Sequence, residues 1–389
     1  MRPDRRGPPP LKTRVPFGVL YEHLYIHVPF CARRCAYCDF SIAVRPAVPV
    51  REFVDAIGAE WATRHGSSSF VLQTLYFGGG TPSKLGGEGI ERLLGMIRER
   101  ATLTPDAEVT LEANPEDVTS EAVRAWRLAG VNRLSLGVQS FDDRVLTWMH
   151  RTHDSAGARR AVAVARDGGM DNISIDLIFA IPTDVGRDWA RDVGTAIELE
   201  LPHLSVYGLT VESRTPLGRW VARSESVEAP EDLFEAEFLL AHERISAMGL
   251  EHYEVSNYGM PGRHSKHNWS YWRRRPYAGL GPSAHEFDGT TRRWNTEAFA
   301  AWQSVAADGR DTVVGREVLD ADQAEAERTY LGLRALSGLA ASDELLVRTE
   351  RWVKSGWATV TNNALCLTPM GWLRLDALAS DLTQLRSRY

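Results

Sequence analysis

Residues 31–40 run Cys-Ala-Arg-Arg-Cys-Ala-Tyr-Cys-Asp-Phe, directly after the apolar stretch Leu24–Val28. Cys31, Cys35 and Cys38 follow a C-x3-C-x2-C spacing, which supplies three thiolates to one metal centre. A 4Fe-4S cluster normally takes four cysteines, so a cluster held by three leaves one iron open to a small molecule. That arrangement suits radical chemistry with S-adenosylmethionine. Chemistry of this kind depends on a cofactor rather than on side chains.

The cysteine spacing alone leaves two other interpretations open. His27 would complete a Cys3His set, which is a common structural zinc site. The three thiols could also be unrelated core residues, although cysteines packed this closely in a loop are seldom inert. The fourth cysteine, Cys366, is far from the others, so no disulfide framework is indicated and we expect a reducing, cytoplasmic compartment.

The composition excludes several classes of protein. Of the 389 residues, 43% are hydrophobic and 25% are charged, and the formal net charge is −6. This balance argues against a nucleic-acid binder, because such proteins show a basic surplus. No apolar run approaches the roughly 18 residues of a membrane span, so we expect no integral membrane segment, while peripheral membrane association stays open. The opening 14 residues are basic, proline-rich and without the apolar region of a signal peptide, and we predict a flexible N-terminal arm over residues 1–20.

Beyond this arm, short strand-like runs alternate with segments of helical periodicity. Thr119 is a predicted N-cap of one helix, and Gly130 is the residue predicted to end it. Strands alternating with helices predict a parallel sheet with right-handed crossovers. Six units rather than eight leave a barrel incomplete, so the predicted fold class is α/β, with an incomplete (βα)6 barrel. The predicted strands are Leu24–Val28, Thr74–Gly78, Glu108–Glu112, Arg133–Gly137, Asn172–Ala180 and His203–Leu209.

Glycine-rich and polar residues follow these strands. In parallel α/β folds the ligand site forms at the carboxyl ends of the strands, and the cysteine loop follows the first of them. Gly78-Gly79-Gly80-Thr81 follows the second, where missing side chains let backbone groups approach a ligand. The tail of an amino-acid cofactor needs a carboxylate for its ammonium and a donor for its carboxylate, and Glu112 and Arg151 are the candidates.

Further candidates could contact the nucleoside part of such a cofactor. Gln139 and Asp176 can accept hydrogen bonds from ribose hydroxyls. Tyr25 and Tyr37 flank the cysteines and offer rings and hydroxyls near an adenosyl group. Tyr207-Gly208-Leu209-Thr210 closes the sixth strand at the same predicted edge.

The sequence resembles the HemN/HemW branch of the radical S-adenosylmethionine superfamily from Tyr25 to the C-terminus. The resemblance implies that the three cysteines carry a 4Fe-4S cluster and that adenosylmethionine chelates its open iron. The motifs that carry it are Y-I-H-V-P-F-C-A-R-R-C-A-Y-C-D-F, Y-F-G-G-G-T-P-S, E-A-N-P-E-D, G-V-N-R-L-S-L-G-V-Q-S-F, M-H-R-T-H, N-I-S-I-D-L-I-F-A-I-P and L-S-V-Y-G-L-T-V-E. By resemblance, the cofactor contacts are Tyr25, Tyr37, Gly79, Gly80, Thr81, Glu112, Gln139, Arg151, Asp176 and Thr210.

Two local features indicate the branch. Members similar to oxygen-independent coproporphyrinogen dehydrogenase carry a further cysteine two residues after the third, where this chain has Phe40. Residues 267–272, His-Asn-Trp-Ser-Tyr-Trp, match the H-N-x-x-Y-W motif of the HemW haem chaperones. The resemblance therefore implies a protein that takes haem and passes it to haem-dependent partners such as respiratory cytochromes.

The segment around His267 has the residue types that a tetrapyrrole site needs. An imidazole is a natural axial ligand of haem iron, and Trp269, Tyr271 and Trp272 could pack against a macrocycle. The three arginines at 273–275 could meet propionates through paired hydrogen bonds. A purely structural role for His267, as a hydrogen-bonded buried residue, stays open at this point.

The last stretch, from about Asp320, is predicted to be a separate module. It has one predicted helix at Leu331–Leu339, a second at 344–355, a hairpin around Asn362-Asn363 and a final helix at 370–378. Helices followed by a β-wing resemble the winged-helix-like C-terminal domain of the family, but acidic residues leave no basic recognition surface for DNA. The predicted domains are an arm at 1–20, a radical SAM partial barrel at 21–250, a segment with the H-N-x-x-Y-W motif at 251–318 and the C-terminal domain at 319–389.

Three functional hypotheses compete. The first is a haem chaperone on a radical SAM scaffold that binds a 4Fe-4S cluster, S-adenosylmethionine and haem, with no catalytic residue assigned. The second is a radical enzyme, either a porphyrinogen oxidase or a HemN-like methylase. The third, a zinc-bearing structural or binding protein, leaves Gly79, Glu112 and Arg151 unexplained.

Overall fold

Six parallel strands form the centre of the computed structural model, which describes residues 20–66 and 68–383. They lie side by side in chain order, and the sheet does not close, so the predicted incomplete barrel is confirmed. The predicted arm lies, apart from Leu20, outside the described residues. The strands are β1 His23–Val28, β2 Phe70–Gly79, β3 Ala101–Ala113, β4 Arg133–Gln139, β5 Ile173–Phe179 and β6 His203–Gly208.

Three short strands that the sequence did not predict extend this sheet to nine. β7 Glu251–Glu254 and β8 Asn257–Gly259 are antiparallel to each other, and β8 pairs antiparallel with β6. β9 Ala278–Leu280 pairs parallel with β1 at the opposite edge. Strands of three or four residues are too short for a periodic signal in the sequence.

Helices connect the six central strands, and their sequence signals are confirmed. Thr119 Oγ1 accepts from the Ala122 amide at 3.1 Å, and Gly130 ends the same helix with φ of 110°, as capping chemistry requires. The connecting helices are Val50–His65, Gly86–Arg98, Ser120–Ala129, Asp143–Trp148, Ser155–Asp167 and Trp189–Glu198, with 3-10 turns at Pro82–Leu85, Pro115–Asp117 and Thr183–Val185. Two further helices, Pro216–Ala222 and Glu231–Ser246, follow β6.

A smaller antiparallel sheet packs beside the barrel. Its joint with the barrel is a buried polar network, in which Arg64 donates to Thr312 Oγ1 at 2.8 Å and Asn295 donates to Glu60 at 2.6 Å. Buried polar groups need such partners, so this network fixes the sheet against the first barrel helix. The elements here are helix Lys266–Trp272, strands His285–Phe287, Thr291–Asn295 and Val313–Val318, and helix Phe299–Ala307.

The C-terminal module has a winged-helix-like arrangement, with a hairpin turn at Asn362-Asn363 as predicted. The predicted helix over Leu331–Leu339 is wrong in its limits. The helix ends at Arg334, the amide of Leu336 bonds to Tyr253 O, and Gly338 takes a φ of 62° that no helix continues through. The elements are helices Ala321–Arg334, Asp343–Lys354, Pro369–Trp372 and Leu375–Thr383, and strands Leu339–Ala340, Ala358–Thr361 and Ala364–Leu367. The domain limits stay a prediction.

Among the helices of the described residues, none combines the length and the apolar character needed to cross a membrane.

Candidate functional site

A cleft of about 390 Å³ opens at the carboxyl ends of the parallel strands. We term it the cofactor cleft. Twelve of the fourteen predicted site residues line it, whereas Tyr25 and His267 do not. The twelve are Cys31, Cys35, Tyr37, Cys38, Gly79, Gly80, Thr81, Glu112, Gln139, Arg151, Asp176 and Thr210.

Backbone hydrogen bonds hold the cysteine loop at its ends and at its middle. The amide of Ala43 bonds to Pro29 O at 2.7 Å, and the amide of Ala36 bonds to Met149 O at 3.2 Å. Two-residue strands at Phe30–Cys31 and Ala43–Val44 close the loop. The loop therefore presents its three cysteines from a braced backbone.

The three thiols at 31, 35 and 38 are free and half-buried on the cleft wall. They are the protein ligands that a 4Fe-4S cluster takes. Across residues 20–66 and 68–383, no three His, Cys, Asp or Glu side chains form a set that could hold a single metal ion. Cys366 is buried in the C-terminal module, where its Sγ lies 3.3 Å from Leu336 O.

His27 does not face the cleft as a fourth ligand. Its Nδ1 lies 3.1 Å from Tyr25 Oη, and its Nε2 lies 3.1 Å from Ser41 O. Burial lowers the pKa of His27 to about 4, so the ring is neutral. Because both ring nitrogens already have partners, the structure gives the Cys3His zinc hypothesis no support. Tyr25, whose hydroxyl contacts His27, does not line the cleft either, and its ring stacks on Tyr76.

The glycine run is required by packing beneath the loop. A Cβ on Gly79, whose φ is 111°, would lie 2.6 Å from the His27 ring, and a Cβ on Gly80 would lie 2.7 Å from the Pro29 carbonyl. A Cβ on Gly78 would lie 2.9 Å from the Tyr25 ring. These contacts allow no side chain, and the run thus brings bare backbone to the cleft surface.

Glu112 is oriented by two donors. Tyr76 Oη donates to Oε1 at 2.8 Å, and the Gly79 amide donates to Oε2 at 3.1 Å. Burial is the main cause that raises the pKa of Glu112 to about 7, and the nearby Asp176 carboxylate adds to it. Each carboxylate oxygen keeps a further lone pair, so Glu112 can accept from a ligand ammonium. Burial likewise raises the pKa of Asp176, which accepts from Ser135 Oγ at 3.2 Å.

Arg151 is held in place by three acceptors. It donates to Asn114 Oδ1 at 2.6 Å, to Gly137 O at 2.7 Å and to Cys35 Sγ at 3.4 Å. Its Nε is buried and has no hydrogen-bond partner in the described part of the chain. A buried unpaired donor is costly, and a ligand carboxylate in the cleft would satisfy it.

Three residues that orient the predicted side chains were not among the predicted site residues. Asn114 orients Arg151, Ser135 bonds Asp176 and Tyr76 bonds Glu112. Asn114 stands inside the E-A-N-P motif, and Ser135 precedes Gly137 and Gln139 at alternate strand positions, so period-two spacing could have found it. Tyr76 has no such signal, because it looks like any aromatic residue of a buried strand.

His267 lies outside the cleft, on the buried face of helix Lys266–Trp272. It is fully buried, with Nδ1 2.7 Å from Thr74 Oγ1 and Nε2 2.8 Å from Tyr271 Oη. Its ring stacks on Tyr76 at 5.0 Å between centroids. Burial lowers the pKa of His267 well below its usual range. Ligation of iron by His267 requires one of these hydrogen bonds to break, and it stays a prediction.

The proteins to which this chain is similar include radical SAM proteins, in agreement with the three cysteines at the cofactor cleft. Residues 25–194 match the profile of the Radical SAM superfamily. A protein of Mycobacterium tuberculosis named Heme chaperone HemW is 37% identical over 94% of this chain and 95% of its own length. A protein of the same name from Escherichia coli is 38% identical over 67% of this chain and 69% of its own length.

Among solved structures, coproporphyrinogen III oxidase (HemN) from Escherichia coli superimposes with a TM-score of 0.77. The superposition covers 93% of this chain and 89% of the HemN chain, and the two sequences are 21% identical. At that identity the likeness concerns the fold alone, which is the open radical SAM barrel with its appended C-terminal module.

Proposed function

This chain belongs to the HemW family of the radical S-adenosylmethionine superfamily, and from that premise we propose that it binds haem and passes it to haem-dependent proteins such as respiratory cytochromes. The observation that carries the proposal is the match of 37% identity over 95% of a relative named as a haem chaperone. The run His267–Trp272 and Phe40, in place of the extra cysteine of oxidase-like members, support it. A cytoplasmic location stays a prediction.

We further propose that the cofactor cleft holds a 4Fe-4S cluster on Cys31, Cys35 and Cys38, with S-adenosylmethionine beside it. The cluster, when bound, supplies the open iron and the electron of radical SAM chemistry. Glu112 accepts from the cofactor ammonium, and the unpaired Nε of Arg151 donates to its carboxylate. The ribose hydroxyls and the adenine of the nucleoside end are contacted by the remaining polar side chains of the cleft, which are Tyr37, Thr81, Gln139, Asp176 and Thr210.

The cofactor proposal is tested with Glu112→Ala in cluster-replete protein. Removing one partner of a buried charged hydrogen bond costs about 2–5 kcal/mol, so adenosylmethionine affinity measured by calorimetry should fall at least tenfold. Glu121→Ala, on the exposed first turn of helix Ser120–Ala129, is the matched control and should bind like the parent. Equal affinity in both variants would remove Glu112 from the site.

The haem proposal is tested by titrating haem into the parent and three histidine variants. An imidazole–iron bond has no equivalent in alanine, so His267→Ala should change the Soret band and weaken binding. His264 and His285 lie in the same segment, and their alanine variants test whether the ligand was assigned to the wrong histidine. A parent protein that binds no haem at micromolar concentration would contradict the chaperone function.

A radical enzyme is the second candidate, because the complete set of cleft residues is present. Supplying coproporphyrinogen, adenosylmethionine and a reductant to cluster-replete protein tests it directly. Turnover, together with haem binding unchanged in all three histidine variants, would replace the chaperone function by the enzyme. Absence of turnover with retained haem binding supports the chaperone.

A further inference from the structure

A second cavity, of about 330 Å³, lies where helix Lys266–Trp272 meets the C-terminal module. We term it the arginine groove. Helix Lys266–Trp272 and the turn after it, the small sheet and helix Ala321–Arg334 supply its lining. The lining residues are Tyr271, Trp272, Arg274, Arg275, Tyr277, Phe287, Arg292, Glu327, Tyr330, Leu331 and Arg334. None of these residues lines the cofactor cleft, so the groove is a separate site.

The walls of the groove are largely aromatic. Flat rings of this kind bury large apolar area and favour stacked or edge contacts with another ring system. The groove is partly open to solvent, so a flat ligand has access to it. The rings and the one aliphatic side chain of the wall are Tyr271, Trp272, Tyr277, Phe287, Tyr330 and Leu331.

Basic side chains outnumber acidic ones in the lining by four to one. The only acidic residue of the lining is Glu327, which pairs with Arg274 and Arg292. Arg334 pairs with Glu254 at 2.9 Å. Arg275 makes no ion pair with an acidic side chain within residues 20–66 and 68–383. The groove therefore carries an excess of positive charge.

The guanidinium groups are held against the aromatic wall. Arg334 lies 4.3 Å from the Trp272 ring centroid, and Arg274 lies 5.0 Å from the Phe287 ring centroid. Stacking of this kind fixes a guanidinium plane and leaves its edge for a carboxylate. Two nitrogen atoms at this wall, Nε1 of Trp272 and Nε of Arg334, are buried without a hydrogen-bond partner in the described part of the chain.

We propose that the arginine groove is the haem site of this protein, where the macrocycle packs on the aromatic wall and the two propionates bind Arg275 and Arg334. The inference deepens and rests on the proposed function, and it adds the C-terminal module to the site. A planar dianion is the ligand that matches flat aromatic walls with paired guanidinium groups. His267 does not line the groove, but its Nε2 contacts the hydroxyl of Tyr271 in the groove wall at 2.8 Å. His267 can therefore ligate the iron of a haem in the groove only if this hydrogen bond breaks.

The test compares two neighbouring arginines that the sequence cannot distinguish. Arg275 lines the groove, whereas Arg273 lies outside it, over the Trp269 ring at 4.7 Å. The ligands are protoporphyrin IX, which has the two propionates and no iron, and its dimethyl ester, which lacks both charges. Binding is followed by quenching of porphyrin fluorescence, and haem is titrated in parallel by absorbance.

We expect Arg275→Gln to weaken protoporphyrin and haem binding by about tenfold, because it removes a charge-assisted hydrogen bond. Arg273→Gln should stay within about twofold of the parent, and the dimethyl ester should bind the parent at least about tenfold more weakly than the free acid. Both arginines are exposed, so the variants should fold alike, which circular dichroism checks.

The outcomes separate the groove from the proposed function. If the parent binds haem and Arg275→Gln binds it equally well, the proposal that the groove is the haem site is overturned. The same holds if Arg275→Gln and Arg273→Gln weaken haem binding equally. In both cases the chaperone function still stands. Equal affinity for the acid and the ester also overturns the groove as the haem site. Protoporphyrin binding that depends on Arg275, in a parent that binds no haem, overturns the groove as a haem site and rejects the chaperone function as well.

Discussion

The cofactor cleft and the arginine groove combine charged and aromatic residues in two different ways. The cleft draws its lining from successive loops of one parallel sheet, whose strands all end at the same edge. The groove forms where a helix, a small antiparallel sheet and the C-terminal module meet in no repeating order. A site at the strand ends of a regular sheet can be predicted from the order of its motifs along the sequence. A site at a junction of separate segments can be located only when their tertiary packing is known.

The largest expected effect tests the cleft. Replacing Cys35 by Ser removes one of three thiolates, and loss of a protein ligand typically destabilises an iron–sulfur cluster outright. Anaerobically reconstituted Cys35→Ser should hold little iron and sulfide and should lose its broad visible absorption. Cys366→Ser, in the C-terminal module, should reconstitute like the parent. Full iron content in a variant that lacks Cys31, Cys35 and Cys38 would contradict the cluster site.

The second prediction tests what His267 contributes between the two regions. His267→Ala leaves the hydroxyls of Thr74 and Tyr271 without their imidazole partner and opens a cavity beside Tyr76. We expect the free energy of unfolding to fall by about 3 kcal/mol, measured by urea denaturation of the cluster-free protein.

Thr74→Val is the matched variant, because it removes one hydrogen bond of His267 and keeps the imidazole. It should cost about 1 kcal/mol and leave the haem spectrum of the parent unchanged. A haem spectrum altered equally in both variants would show that disturbed packing, rather than loss of an iron ligand, changes the site.

The sequence predicted the cleft well because its chemistry lies at the strand ends. Glu112 and the cysteine loop could be placed together from strand order alone, whereas Arg151 follows helix Asp143–Trp148 and was chosen as a donor for a carboxylate. Tyr25 was predicted as a cofactor contact, but it does not line the cleft: its ring stacks on Tyr76 and its hydroxyl contacts His27. Its contact with the cofactor stays a prediction. How deep a side chain lies inside the barrel depends on its packing against other side chains, which a sequence motif does not predict.

The groove could not have been predicted in the same way. No feature of the sequence separates Arg273 from Arg275. Which of the two lines the groove depends on the path of the chain after helix Lys266–Trp272 ends. Arg334 belongs to a helix about sixty residues further along the chain. Its approach to Trp272 depends on how the C-terminal module docks, which is a tertiary contact of long sequence separation.

The third prediction concerns the ionisation of Glu112. Burial raises its pKa from an ordinary 4.5 to about 7, so the folded protein binds this proton more tightly than the unfolded chain does. Stability from this group is fully present below pH 4.5 and is lost as the pH rises to about 7. In cluster-free protein without ligand, Glu112→Gln should therefore be more stable than the parent at pH 8, by up to about 3 kcal/mol. The difference should vanish at pH 4, and a difference independent of pH would contradict the raised pKa.

The smallest effect is expected from Tyr76, which lies between the two regions. Its hydroxyl donates to Glu112 at 2.8 Å, and its ring stacks on His267. Tyr76→Phe keeps the ring and removes the donor, so the pKa of Glu112 should rise further, by about one unit. Because the Glu112 carboxylate must be ionised to bind an ammonium, adenosylmethionine affinity falls as the pH drops through this pKa. The midpoint of that fall should move up by the same amount in the variant.

Haem affinity in Tyr76→Phe decides whether the two regions are independent. The stacked ring remains against His267, so we expect the affinity of the arginine groove for haem to stay within about twofold of the parent. A parallel loss of haem and adenosylmethionine binding would mean that the Glu112–Tyr76–His267–Tyr271 contacts couple the sites. Reciprocity would then require each ligand to change the affinity for the other by the same factor, which calorimetry with one ligand at saturation measures directly.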